Sequence, residues 1–156
     1  MGVGNWLMGD EGVGIHFANA VQNQPWLGEI DVVDGGTGGF HLMQYFEDYH
    51  NVILIDASMD GRAAGSISLI EPRFASDFPR ALSSHDIGLR DLVEGLAILV
   101  RLPKIYLFIV SVEEIQSQCI ELSPQVQSVL PLLEEKVKLL VETLQQIPVS
   151  PVATGV

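Results

Sequence analysis

Two carboxylates and one imidazole carry the chemistry this sequence could perform: Glu11, Asp56 and His85. Glu11 lies in Gly2–Gly14, Gly-Val-Gly-Asn-Trp-Leu-Met-Gly-Asp-Glu-Gly-Val-Gly, with five glycines, one Asn and an acidic pair. Such glycine density marks backbone that takes φ > 0 or lies close to something else. Asp56 follows the apolar run Val52–Ile55, and His85 stands where a long irregular stretch enters a helix-like run. One Glu, one Asp and one His make a three-ligand set for a divalent cation, with positions left for water or substrate. Zinc in such a site acidifies bound water toward a pKa of ~7. The three do not share one helix, so only the fold can bring them together.

Each has a plainer role as well. Glu11 and Asp10 suit the positive end of a helix. Asp56 can bond a loop amide at a strand end, and His85 can cap a helix or face solvent. His16, His41 and His50 read as structural or exposed, and Asp34 as the residue that holds its glycine turn. Gly2-Val3-Gly4 lacks the third glycine and the Lys of a phosphate loop. No motif supports Cys119, the sole cysteine, as a nucleophile.

The elements that must position these residues follow from periodicity. Gly12–Gln24 reads as a helix closed by Pro25. Ile30–Asp34 reads as a short strand, followed by the glycine-rich turn Asp34–Gly39. Phe40–Tyr49 is helical, with Leu42, Met43, Phe46 and Tyr49 on one stripe. Val52–Ile55 is apolar throughout, as a strand covered on both faces should be, and ends at Asp56. Ser66–Glu71 alternates polar and apolar residues. The connection Ser58–Gly65 is too short for a parallel crossover, so this strand is expected to be antiparallel and near an edge.

Pro72–Ser84 reads as a long surface loop. Gly88–Leu102 reads as a helix, with Ser84 or Asp86 available as its cap. Ile105–Val110 is a second buried strand. Ser123-Pro124 opens a final helix that runs to about Gln146, with Leu130, Leu133, Val137, Leu140, Val141 and Leu144 inward. Pro148–Val156 reads as a frayed tail. Strands alternating with helices imply an α/β sandwich with a mostly parallel sheet, where ligands bind beyond the carboxyl ends of the strands. The glycine-rich opening should follow a buried strand, yet only Met1 precedes Gly2.

Composition sets the outer limits. The 156 residues fit one domain, 1–156, with a sizeable core. Hydrophobic residues make up 47%, which places the chain among globular proteins. The net charge of −12 argues against nucleic acid as a partner. Apolar runs are too short for membrane insertion, and no secretory pattern opens the sequence. A lone cysteine gives neither an internal disulfide nor a thiolate metal site, so a reducing cytoplasm is expected.

The combination Gly4–Gly14, Asp34–Gly39, Ile55-Asp56-Ala57, Ser84–Leu89 and Leu122-Ser123-Pro124 resembles the [NiFe]-hydrogenase maturation proteases. The motifs occur in the family's order and span nearly the whole chain. The resemblance implies a three-layer α/β/α sandwich with a mostly parallel five-strand sheet, order 2-1-3-5-4, strand 4 antiparallel. The first of those strands is largely missing here. It implies an endopeptidase that removes the C-terminal extension of the hydrogenase large-subunit precursor after nickel insertion. Recognition would run through nickel carried by that substrate, and the family's metal-contacting positions fall on Glu11, Asp56 and His85. Zinc, cadmium or another divalent cation is expected to bind such a site adventitiously. Ala64 stands where the family usually carries Pro. A non-cleaving nickel-sensing chaperone for hydrogenase assembly would use the same side chains. A flavodoxin-like nucleotide or flavin binder would need a phosphate turn that the sequence lacks.

Overall fold

The computed structural model describes residues 1–79, 92, 94, 95 and 103–146. Its centre is a sheet of three strands: β1 (Asn51–Ser58), β2 (Ile67–Ile70) and β3 (Lys104–Ser111). The order is β1-β3-β2. β1 and β3 are parallel, in register from Asn51 opposite Lys104 to Ser58 opposite Ser111. β2 runs antiparallel to β3 and forms the edge of this sheet, as its short connection requires.

Alternation along the strands builds two cores. Val52 and Leu54 of β1, with Ile105, Leu107 and Ile109 of β3, pack on one face with Leu42, Phe46, Phe78 and Leu92. Ile55, Ala57, Phe108 and Val110 pack on the other. That second face is covered by α1 (Val13–Val21), through Val13, Phe17 and Val21. It is also covered by α4 (Leu130–Gln146), through Leu133, Val137 and Val141. Helix-side and sheet-side apolar stripes therefore make three layers. Leu54 and Leu107 are fully buried, each worth roughly 1.5–3 kcal/mol relative to exposure.

Several expected elements differ. Among the described residues the sheet has three strands, and Ile30–Asp34, expected as a strand, is not one of them. Asp34 makes only an isolated parallel bridge with Gly2, which also bridges Ile55. Gly2 N–H donates to Val33 O at 2.9 Å, and Val3 N–H donates to Ile55 O at 2.8 Å. Met1–Gly4 thus lies between Val33–Gly36 and β1. Ile30–Val32 forms no ladder among the described residues. A cavity of about 370 Å³ opens there, lined by Met1, Ile30, Val33, Tyr45, Asn51 and Ile53 among others.

The helices also differ in their limits. The first begins as a 3-10 turn, Gly9–Gly12, and its α-helical part ends at Val21. Phe40–Leu42 is a 3-10 turn leading into α2 (Met43–Asp48). Tyr49 lies outside the buried stripe, and its hydroxyl donates to Asp31. The final helix is split into α3 (Pro124–Gln127) and α4. Pro131, the second residue of α4, has no N–H for Gln127 O and sets the break, where Ser128 Oγ donates to Gln125 O at 2.8 Å. The Gly88–Leu102 helix lies outside the described residues except at Leu92, Glu94 and Gly95, which are helical. Pro148–Val156 and Arg80–Ser84 also lie outside them.

Candidate functional site

The glycine-rich opening brings Glu11 to the sheet. A Cβ on Gly14 would stand 2.2 Å from Ile55 O and 2.4 Å from Val3 O, so only glycine lets α1 approach the backbone this closely. The Gly9–Gly12 turn just before α1 packs against β1. Glu11 N–H donates to Met8 O at 3.3 Å, and Glu11 is fully buried, at 0% exposure.

Asp56 is also 0% exposed. It was expected at the end of a strand but sits inside β1, opposite Ile109, because pairing continues through Ala57 and Ser58. Asp56 Oδ1 accepts the Ala57 N–H at 2.8 Å. By alternation it shares the face of Val52 and Leu54, the face on which Leu92 packs. Gly2 bridges Ile55 in parallel and the Gly9–Gly12 turn packs against β1, which sets Glu11 near the carboxyl end of the strand that holds Asp56. His85 lies outside the described residues. Among the described residues, no three His, Cys, Asp or Glu side chains gather as a metal-holding group.

The other histidines have ordinary surroundings. His16 stacks on Trp6 at 4.2 Å between ring centroids, and its Nε2–H donates to Ile120 O at 2.8 Å. His41 and His50 are exposed. Asp34 holds its glycine turn, with Oδ1 accepting the Gly36 N–H at 2.9 Å.

Two contributors escaped the sequence reading. Asp10, expected to complement its own helix, instead accepts the Ser123 N–H at 2.7 Å, ahead of α3. Gln116 bonds Asp10 across 106 positions of sequence, and nothing local to either residue announces it. At the carboxyl ends of β1 and β3, Met59, Arg62, Val112 and Glu113 line a second cavity of about 290 Å³. Arg62 is held there by Asp60, whose carboxyl it keeps below the usual carboxylate range, and Ser111 Oγ donates to Asp60 at 3.1 Å.

This geometry defines an α/β domain with its candidate site at the carboxyl end of the parallel pair in a mixed sheet. A family model described as hydrogenase maturation protease (HycI) matches residues 15–139. The chain belongs to the hydrogenase maturation protease family, whose members are peptidases. Asp56 and His85 fall inside the matched range, and Glu11 lies just ahead of it.

The Hydrogenase 2 maturation protease of Escherichia coli K12 is 28% identical over 139 residues, covering 86% of this chain and 85% of that protein. The hydrogenase expression/formation protein HupD of Bradyrhizobium diazoefficiens is 29% identical over 67% of this chain. That match covers 56% of HupD's length. Among solved structures, the E. coli hydrogenase maturating endopeptidase HybD superimposes with a TM-score of 0.77 at 28% identity. It covers 91% of this chain and 90% of its own. HycI from Thermococcus kodakarensis shares the fold, with a TM-score of 0.69 at 18% identity over 90% of this chain and 89% of that one. Among the described residues, no helix is long and apolar enough to cross a membrane.

Proposed function

We propose that this protein is the endopeptidase that removes the C-terminal extension of a [NiFe]-hydrogenase large-subunit precursor after nickel has been inserted. Glu11, Asp56 and His85 contact the nickel that the precursor carries, and that contact places the scissile amide at the carboxyl edge of the sheet. Water adds across the amide. The mature subunit leaves with a new carboxylate and the extension with a new amine. A divalent metal beside the bond stabilises the oxyanion that develops on the carbonyl. The Asp34–Gly39 turn lies beside Met1–Gly4 and offers backbone groups to an extended substrate. The observation that carries this reading is the full burial of two carboxylates, Glu11 and Asp56, at one end of the sheet in a chain of this family. Without the nickel-bearing substrate, the same carboxylates would take up zinc, cadmium or another divalent ion.

The test is a processing assay with nickel-loaded and nickel-free precursor. The wild type is expected to shorten only the loaded form, and Glu11→Gln and His85→Ala to shorten neither. Full cleavage by either variant removes that residue from the mechanism. Binding of the loaded precursor without shortening would make the protein a nickel-sensing chaperone instead.

A further inference from the structure

The turn that carries Glu11 is held from the far end of the chain. Gln116 Oε1 accepts the Asp10 N–H at 2.9 Å, and Gln116 Nε2 donates to Asp10 Oδ2 at 3.3 Å. The remaining oxygen, Asp10 Oδ1, accepts the Ser123 N–H, and Asp10 is 2% exposed. Two main-chain bonds run alongside. Gly9 N–H donates to Cys119 O at 2.7 Å, and Cys119 N–H donates to Leu7 O at 3.1 Å. Gly9 has a φ of 56°, and a Cβ there would stand 2.2 Å from Gln116 Oε1. The carboxamide therefore fills the space that a side chain at position 9 would need. In the same loop Gln118 has a φ of 56°, the one positive value at a non-glycine among the described residues. Such a backbone persists only where its surroundings fix it.

We propose that Gln116 is a positioning residue for Glu11. Its carboxamide, bonded twice to Asp10, sets the Gly9–Gly12 turn and thereby the place where the Glu11 carboxylate meets a metal-bearing substrate. This inference rests on the reading of Glu11 as a metal contact. A carboxamide offers a donor and an acceptor side by side, as Asp10 requires. A carboxylate at position 116 would set an oxygen against Asp10 Oδ2, two like charges at hydrogen-bond distance.

The experiment compares wild type, Gln116→Glu, Gln116→Met and the double variant Asp10→Asn/Gln116→Glu, at a temperature where all are folded. In the double variant the amide introduced at position 10 donates to the carboxylate introduced at 116. Its carbonyl oxygen still accepts the Ser123 N–H. Cleavage of nickel-loaded precursor gives kcat and KM, and amide exchange reads the protection of Gly9–Gly12. Both single variants are expected to lower kcat about ten- to a hundredfold with little change in KM. The double variant is expected to recover most of that loss, and exchange at Gly9–Gly12 to follow the same order. A residue that only stabilised the fold would change the melting temperature and leave kcat of the folded protein intact. Wild-type kcat in the single variants, or a loss that the double variant does not restore, overturns the proposal. If the wild type itself fails to cut the precursor, the proposed function falls while exchange still decides the clamp. Unchanged protection of Gly9–Gly12 in both single variants overturns it.

Discussion

Acetylation of the Met1 amino group of the 156-residue chain should stabilise that chain near pH 6. The Met1 nitrogen donates to Ile53 O at 2.8 Å, in the place a backbone amide would occupy between two strands. Burial lowers the pKa of this ammonium from 8.0 to about 6. Between those values the unfolded chain holds its proton and the folded chain does not, so stability rises as pH climbs from about 6 to 8. A difference of about two pH units corresponds to about 3 kcal/mol. For a chain of this size that is roughly 5–10 °C in Tm.

An acetylated nitrogen keeps one N–H for Ile53 O and carries no charge, and the adjoining cavity of about 370 Å³ has room for the acetyl group. The acetylated protein should therefore be about 3 kcal/mol more stable below pH 6, with the advantage largely gone by pH 8. Denaturant unfolding of both forms from pH 5 to 9 measures this, because every other titrating group cancels in the difference. Coincident stability curves across that range would refute the buried ammonium.

Four further outcomes follow from packing and bonding. Gly14→Ala drives a methyl into Ile55 O and Val3 O, and should cost about 1–3 kcal/mol or prevent folding, read by denaturant midpoint. Asp10→Ala orphans the Ser123 N–H and the Gln116 amide, for a loss of about 1–3 kcal/mol. Leu133→Ala, at 0% exposure under the sheet, should cost about 2–5 kcal/mol. Asp60 is held ionised by Arg62, so its contribution is present above its usual pKa of 3.8 and fades as pH falls through the lower folded value. Asp60→Asn should flatten that small acid limb of the stability profile.

How much of this was legible in the sequence depends on the range of the interactions. Val52–Ile55 and Ile105–Val110 are read from apolar continuity, because a strand buried on both faces needs no polar alternation. The antiparallel run of β2 follows from chain length alone. Asp56 was expected at a strand end because apolar residues stop there. The strand continues because Ala57 and Ser58 find Val110 and Ser111 on β3, a pairing that local pattern does not encode. Ile30–Asp34 has strand-like composition but, among the described residues, pairs only through the bridge at Asp34, and composition does not report pairing. The long final helix shows its apolar stripe, and the break before it was legible in Pro131, which has no N–H for Gln127 O. Glu11 and Asp56 were legible as candidates from residue type and position. Gln116 was not, since its role lies wholly in contacts 106 positions away.

The central claim is that Glu11 helps grip a nickel-bearing precursor while its extension is cut. Intact-mass spectrometry of nickel-loaded large-subunit precursor, before and after incubation with wild type and with Glu11→Gln, tests it most directly. Loss of the mass of the C-terminal extension with wild type, and an unchanged precursor mass with Glu11→Gln, is the predicted result. An unchanged mass with wild type, or equal shortening by both, would contradict it.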